Sequence, residues 1–535
     1  MPSARKERLL FNPTSIVHYR NIVLFAQRFP EYGIRCVLNP AFPWVTKITG
    51  SPYELFFFKN GTVPAGCLAD VRAVIVFSAQ PRLPVLSLLQ DAALRGVPVI
   101  AVEEVYQLTL EQGYVNEYFL PVDMLLAGSE HERQKFLEFG VPAEGCRATG
   151  CVFSGVAVNE ALAGQAKEDL RARLGLDRRR PIAVLSLAYQ TPSGETPVVR
   201  ERLLNTVSQG LPADFQLLVK PHPAEADGKI DYCIARFAPQ AKVADKYTPI
   251  AEILSIADVL FNRGNSQVVI DALRRKIPVI AVPEGRGIFL DGILDQVIAR
   301  DKSDIRTILA LVREKGFTLY EPALKAFFAI DPGTALSNTA GVLKGIIAKG
   351  ELRDPGQRLL DLVLYWSWAG YPEKAVRLIS ELTFRDDIGR PLLDALARLA
   401  AFKATTFDLE KLRAWGRPCY RNWLLQCLWI KTLYLKQCGL AHPDKEWLAD
   451  FPPRMNREYF VSYACMLGWC YLVSGMRQGC RSLLDVIGAE YGFLKQVQSL
   501  KKGFDRGFPV FLDPQYLAGR LSYSVKSFVK RVIPR

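Results

Sequence analysis

From residue 8 to about residue 283, short apolar runs of strand length alternate with segments of helical period, and this alternation restricts the fold most. Runs at 9–11, 34–38, 55–58, 73–77, 97–102 and 124–127 are bounded by Gly, Pro, Asp or Asn and read as buried strands. Segments 16–29, 83–95 and 130–139 carry the helical period, with Ser129 placed to cap the last. Strands that are apolar throughout are buried on both faces, and helices between them supply the cover. The pattern therefore predicts a parallel, doubly wound sheet.

The rhythm restarts after a charged helix at 168–174 and a basic turn at 177–180. Strands are expected at 182–187, 215–219, 241–243, 259–261 and 279–281, with helices at 198–208, 250–257 and 266–275. Beyond about residue 350 only helical patterns remain, rich in aromatic residues such as Trp366, Trp368, Trp429 and Trp469. The predicted class is α/β, with two Rossmann-like doubly wound domains at 1–155 and 156–348 and an all-α domain at 349–535. In open sheets of this kind ligands bind beyond the carboxyl ends of the strands, so each loop after a strand is a candidate site.

Two segments of the helical part resemble each other: YWSWAGYPEKAVRLI at 365–379 and WCYLVSGMRQGCRSLL at 469–484. Each puts a small pair, Ala369-Gly370 or Ser474-Gly475, in the turn of a helical hairpin. A tetratricopeptide-like arrangement and an irregular bundle both fit. Residues 516–535 place Leu517, Leu521, Val525, Phe528 and Val532 at helical spacing among five basic residues and no acid. Such a helix suits an anionic membrane surface, or docks on its own protein with a solvated basic face.

The 11 cysteines form no CxxC pair and no zinc spacing, which points to reduced, buried thiols. No apolar run reaches the ~18 residues of a membrane span. The expectation is a cytoplasmic protein, peripheral at the inner face of the membrane if the tail binds there. A net charge of +14 calls for an acidic partner, which composition leaves as nucleic acid, membrane or a phosphate-bearing small molecule.

Among only four histidines, His222 stands in LVKPHP at 218–223, where a strand ends and Pro221 and Pro223 fix the backbone. Such a histidine can donate to a phosphate oxygen or supply a proton to a leaving phosphate, with Lys220 adding a point charge; it can equally be a structural histidine in a rigid turn. In FNRGNSQVVIDAL at 261–273, Gly264 permits a tight turn and Asn265 and Ser266 open a helix. That end is an anion site or a plain N-cap. Asp271 can reach a ribose hydroxyl or face solvent. Thr191, Ser193 and Gly194 of YQTPSGETP form a third candidate phosphate loop. Glu103 and Glu104 follow the apolar strand VPVIAV and are candidates for a general base, or one caps a helix and the other is solvated.

The combination of LVKPHP with AEILSIADVLFNRGNSQVVIDALRRKIPVIAVP at 251–283 resembles the nucleotide-binding half of a GT-B glycosyltransferase. DPGTALSNTAGVL at 331–343 is similar to its closing segment, and GVPVIAV at 96–102 with PVDMLLAGSEHERQKFLEFGV at 121–141 fits the other half. Bacterial sialyltransferases are similar in an acidic pair, an HP pair and a serine pair, met here by Glu103-Glu104, His222-Pro223 and Asn265-Ser266. CDP-glycerol transferases share KPHP, and UDP-N-acetylglucosamine 2-epimerases are similar in GVPVIAVEE. The chain departs from these patterns at Val105, where a glycine is usual, and at Asn265.

The resemblance implies a metal-independent glycosyltransferase with no cofactor, using a CMP-, CDP- or UDP-linked donor and a glycan or protein acceptor. Its partners would include an anionic membrane surface through 516–535 and a protein through the helical domain, but no nucleic acid. It assigns catalysis to Glu103, Glu104 and His222. Phosphate and nucleotide binding fall to Lys220, Thr191, Ser193, Gly194, Gly264, Asn265, Ser266 and Asp271. An epimerase-like sugar-nucleotide enzyme and a scaffold without turnover are the alternatives.

Overall fold

The computed structural model describes the chain except residues 1–6, 15, 43, 49, 78–82, 103–121, 139–140, 153–161, 189–196, 224, 226–228, 265, 284–292, 350–354, 383–389, 405–407, 409, 413–420, 436–456, 492–494 and 507–535. It divides into two compact units: residues 1–355 with 454–457, and 356–453 with 458–535.

The first unit holds two parallel sheets. One comprises β1 (Arg8–Asn12), β2 (Gly33–Leu38), β3 (Glu54–Phe57), β4 (Val71–Phe77), β5 (Val99–Val102), β6 (Met124–Ala127) and β7 (Cys146–Ala148), in the order β3-β2-β1-β4-β5-β6-β7. The other comprises β8 (Ile182–Ser186), β9 (Gln216–Lys220), β10 (Lys242–Val243), β11 (Val259–Asn262) and β12 (Val279–Ala281), in the order β10-β9-β8-β11-β12. Both are doubly wound Rossmann-like sheets, as the alternation predicts. The strand order reverses between β1 and β4 in the first sheet and between β8 and β11 in the second.

Central strands such as β5 and β11 are buried at every position, so side chains on both faces enter helix-covered cores. The expected strand at 241–243 is instead a two-residue edge, exposed at both positions. Strand β7, not anticipated, has the sequence CRA and lacks the apolar run that marks its neighbours. Helix Lys302–Lys315 shows local chemistry setting an element: Asp301 accepts from the Ser303 and Asp304 amides, Asp304 reaches back to the Asp301 amide, and Gly316 ends the helix at φ +59°.

Helix Pro332–Lys349 follows the second sheet in the chain but packs into the first core. Ala340, Leu343 and Ile346 join Leu9, Phe11, Ile22 and Phe25 there. His131, on helix Glu130–Glu138 beside the first sheet, meets Phe327 edge-on, with centroids 6.0 Å apart. The two sheets are thus tied by a returning helix as well as by the direct chain connection.

Every regular element described in the second unit is a helix. Helices Pro355–Trp368 and Pro372–Leu382 form one hairpin, and Arg457–Val473 and Arg477–Tyr491 another. Gly370 and Gly475 occupy the left-handed region at φ +89° and +72°. The Tyr371 amide reaches the Trp366 carbonyl, and the Met476 amide the Tyr471 carbonyl, both at 2.8 Å. Both hairpins therefore turn through the same glycine cap. The eight cysteines whose side chains are described are buried. No described helix is long and apolar enough to cross a membrane.

Candidate functional site at the carboxyl edge of the second sheet

Strand β9 ends at Lys220 and passes directly into Pro221, His222 and Pro223, so the sheet itself delivers the histidine to its carboxyl edge. Its ends are pinned laterally: the Leu187 amide donates to the Lys220 carbonyl at 3.1 Å, and the Ala244 amide to that of Val219 at 2.9 Å. The Lys220 ammonium is buried and donates to the carbonyls of Pro221 at 2.7 Å and Lys246 at 2.8 Å. Burial pushes its pKa down to about 8, with Asp245 pulling the other way. Two of its three donors thus serve the backbone and hold the turn.

His222 is half-buried. Burial and the Lys220 charge hold its pKa below the ordinary 6.5, while Glu225 opposes them. The imidazole is therefore mostly neutral near pH 7. That favours donation of an N–H hydrogen bond to a phosphate oxygen over transfer of a proton to it.

On the other side of β8, strand β11 ends at Asn262, whose side-chain amide donates to the Ser186 carbonyl at 3.1 Å. The Asn262 Oδ1 accepts from the Gly264 amide at 2.9 Å, closing a turn in which Gly264 sits at φ +85°, a conformation only glycine adopts cheaply. Ser266 is the N-cap of helix Gln267–Arg274 by its backbone, its carbonyl accepting from the Val269 amide at 2.9 Å. Its side chain makes no capping hydrogen bond. The hydroxyl and the first amides of the helix thus share one edge of the sheet with His222. The carboxyl ends of β9 and β11 lie two strand spacings apart, roughly 10 Å. Asp271 is half-buried, five residues into the chain from Ser266, about 7 Å further along the helix and away from that edge.

Four residues that sequence reasoning passed over, Arg200, Glu225, Lys246 and Tyr247, complete the edge. Arg200, on helix Pro197–Gly210, donates to the Ala188 carbonyl and to the Glu225 carboxylate, both at 2.7 Å. Lys246 donates to the Glu225 carbonyl at 2.9 Å. These partners are distant in sequence and no local pattern announces them. Tyr247 stands 71% exposed beside this turn, its backbone set by an Asp245 side chain that accepts from its amide at 2.7 Å.

The first sheet presents a second polar cluster at its own reversal point. Buried Asn12 ends β1 and donates to the Val37 carbonyl at 2.9 Å. The Thr14 amide donates to Nδ1 of buried His18 at 3.1 Å. The His18 ring packs 5.0 Å from Phe77, the last residue of β4. Glu103, Glu104, Thr191, Ser193, Gly194 and Asn265 lie outside the described residues. Among the described residues no group of three His, Cys, Asp or Glu is placed to hold a metal ion.

No family model matches the chain, and no curated protein matches it either. Solved structures do. The wall teichoic acid polymerase TagF with CDPG is 14% identical with a TM-score of 0.44, covering 65% of this chain and 90% of that one. UDP-GlcNAc 2-epimerase of Neisseria meningitidis bound to UDP-GlcNAc is 11% identical with a TM-score of 0.44, covering 64% of this chain and all of that one (100%). The Anabaena protein HepE in complex with UDP and glucose is 14% identical with a TM-score of 0.45, covering 63% of this chain and 100% of that one.

Proposed function

We propose that the chain is a nucleotide-sugar-dependent glycosyltransferase, moving a sugar or sugar-like group from a nucleotide-activated donor to a glycan or protein acceptor without a metal ion. The observation that carries this reading is the carboxyl edge of the second sheet. There a neutral half-buried His222 follows β9, and an N-terminal helix end with an uncommitted Ser266 side chain follows β11. Both are donors suited to phosphate oxygens, and they flank the strand-order reversal where open sheets take their ligands.

In this reading Glu103 or Glu104 accepts the proton of the acceptor hydroxyl. The freed oxygen forms a bond to the anomeric carbon as the bond from that carbon to the phosphate oxygen breaks, and the electron pair leaves with the nucleotide. The His222 N–H, the amides at the start of helix Gln267–Arg274 and the Ser266 hydroxyl stabilise the departing charge by position. Thr191, Ser193, Gly194 and Asn265 add donors to the same phosphates. Lys220 contributes by holding the turn. The CMP-, CDP- and UDP-linked donors are all candidates.

The test is to incubate the protein with each class of donor, with and without an acceptor. Transfer that requires the acceptor, and that fails in either Glu103→Gln or Glu104→Gln while donor binding persists, is the expected result. Donor conversion without any acceptor would replace this reading with an epimerase.

We further assign acceptor or protein recruitment to the helical unit and membrane attachment to residues 516–535. Deleting 516–535 should release the protein from vesicles containing phosphatidylserine; equal binding by the truncated protein would refute the attachment.

A further inference from the structure

Among the described residues, the Arg200–Glu225 pair is the most deeply buried ion pair of the site region. The Arg200 side chain is 0% exposed and that of Glu225 3%. Burying two charges costs several kcal/mol of hydration each, and replacing such a pair with apolar residues of similar volume is often neutral or stabilising. Stability alone is therefore a weak reason for this pair to exist. Its connections suggest another. One guanidinium nitrogen bridges the Ala188 carbonyl, where the chain leaves β8, and the Glu225 carboxylate, just past His222. Glu225 in turn donates its amide to the His222 carbonyl at 2.9 Å and accepts from Lys246 at its own carbonyl at 2.9 Å. Lys220 then ties the Lys246 carbonyl back to β9.

We propose that Arg200 and Glu225 are positioning residues for the nucleotide-phosphate site: they lock the turns after β8, β9 and β10 into one body and fix the His222 imidazole at the carboxyl edge. This inference rests on the proposed function for the identity of the ligand, but not for the geometry of His222. The pair also acts through charge. Of the ionisable groups acting on the imidazole, Lys220 favours its neutral form and Glu225 its charged form. Glu225 thus opposes the burial and the Lys220 charge that hold His222 neutral.

The experiment compares wild type with the apolar double variant Arg200→Met/Glu225→Leu and the single variant Glu225→Gln. The imidazole signal of His222, identified by its loss in His222→Gln, is titrated by NMR. Affinities for CMP, CDP and UDP are measured alongside. We expect the double variant to unfold cooperatively at a denaturant midpoint close to wild type, yet to titrate His222 at lower pH and to bind nucleotide about tenfold more weakly or worse. A folded double variant with both readouts unchanged overturns the proposal. If the double variant does not fold, Glu225→Gln decides: a displaced His222 imidazole signal together with weaker nucleotide binding supports the role, and an unchanged signal and affinity refute it. Should wild type bind none of the nucleotides, the proposed function fails, while the His222 titration still tests the positioning role.

Discussion

The Thr339 hydroxyl donates to the Thr149 hydroxyl at 3.0 Å, both side chains buried although 190 residues separate them. This bond fastens helix Pro332–Lys349 to the chain leaving β7. Beside it, Gly150 sits at φ +92°, and a Cβ added there would lie 2.7 Å from the Ala335 Cβ and 3.1 Å from Ile330. Gly150→Ala therefore combines a disfavoured backbone conformation with overpacking, and should cost about 3 kcal/mol. A fall in the chemical denaturation midpoint without loss of cooperativity is the expected outcome. An unchanged midpoint would mean that the returning helix does not press on this glycine.

Ser266 separates a structural cap from a ligand group. An N-cap serine that bonds its helix costs about 1 kcal/mol when replaced by alanine. The Ser266 side chain makes no such bond, so Ser266→Ala should leave stability within about 0.5 kcal/mol of wild type while weakening nucleotide binding. A full capping loss with unaltered binding would assign the residue to the helix instead.

The depressed pKa of His222 gives a stability slope of known sign. In the unfolded chain the imidazole takes up its proton near the ordinary 6.5; in the folded protein it does so only at lower pH. Between these values the unfolded state binds more protons, so the stability contributed by His222 is complete above pH 6.5 and is lost as pH falls toward the folded value. Denaturation midpoints measured above and below pH 6.5 should drop more in wild type than in His222→Gln. Parallel drops would show that the folded imidazole titrates normally.

The alternation of apolar runs and helical segments made the α/β class and its two sheets legible, because each central strand is buried on both faces and needs no partner to be recognised. Strand β7 was hidden because Cys146–Ala148 offers a single arginine-bearing triplet. The return of helix Pro332–Lys349 to the first core was hidden because period reveals an apolar face but not which core receives it. At the site, His222 was legible from its proline frame. The commitment of Lys220 to two carbonyls was not, because it depends on where Lys246 lies 26 residues later. Arg200 and Glu225 escaped notice for the same reason: a buried pair across 25 residues leaves no spacing rule to read.

Fixed donors should suffice for the leaving phosphate. The sequence places no DxD pair after a first-sheet strand, and the His222 turn and the Ser266 helix end offer N–H and O–H groups in place of a cation. Transfer rates in excess EDTA should equal those in magnesium. A collapse of rate on chelation, restored by added metal, would show that the charge is stabilised by an ion.

The central claim is that the carboxyl edge of the second sheet binds a nucleotide phosphate through His222. Thermal stabilisation of wild type and His222→Ala by CMP, CDP, UDP, GDP and their sugar conjugates tests it most directly. The account predicts a shift with at least one of these in wild type, lost in a His222→Ala variant whose ligand-free melting is unaltered. No shift with any nucleotide, or a shift that survives the substitution, would contradict it.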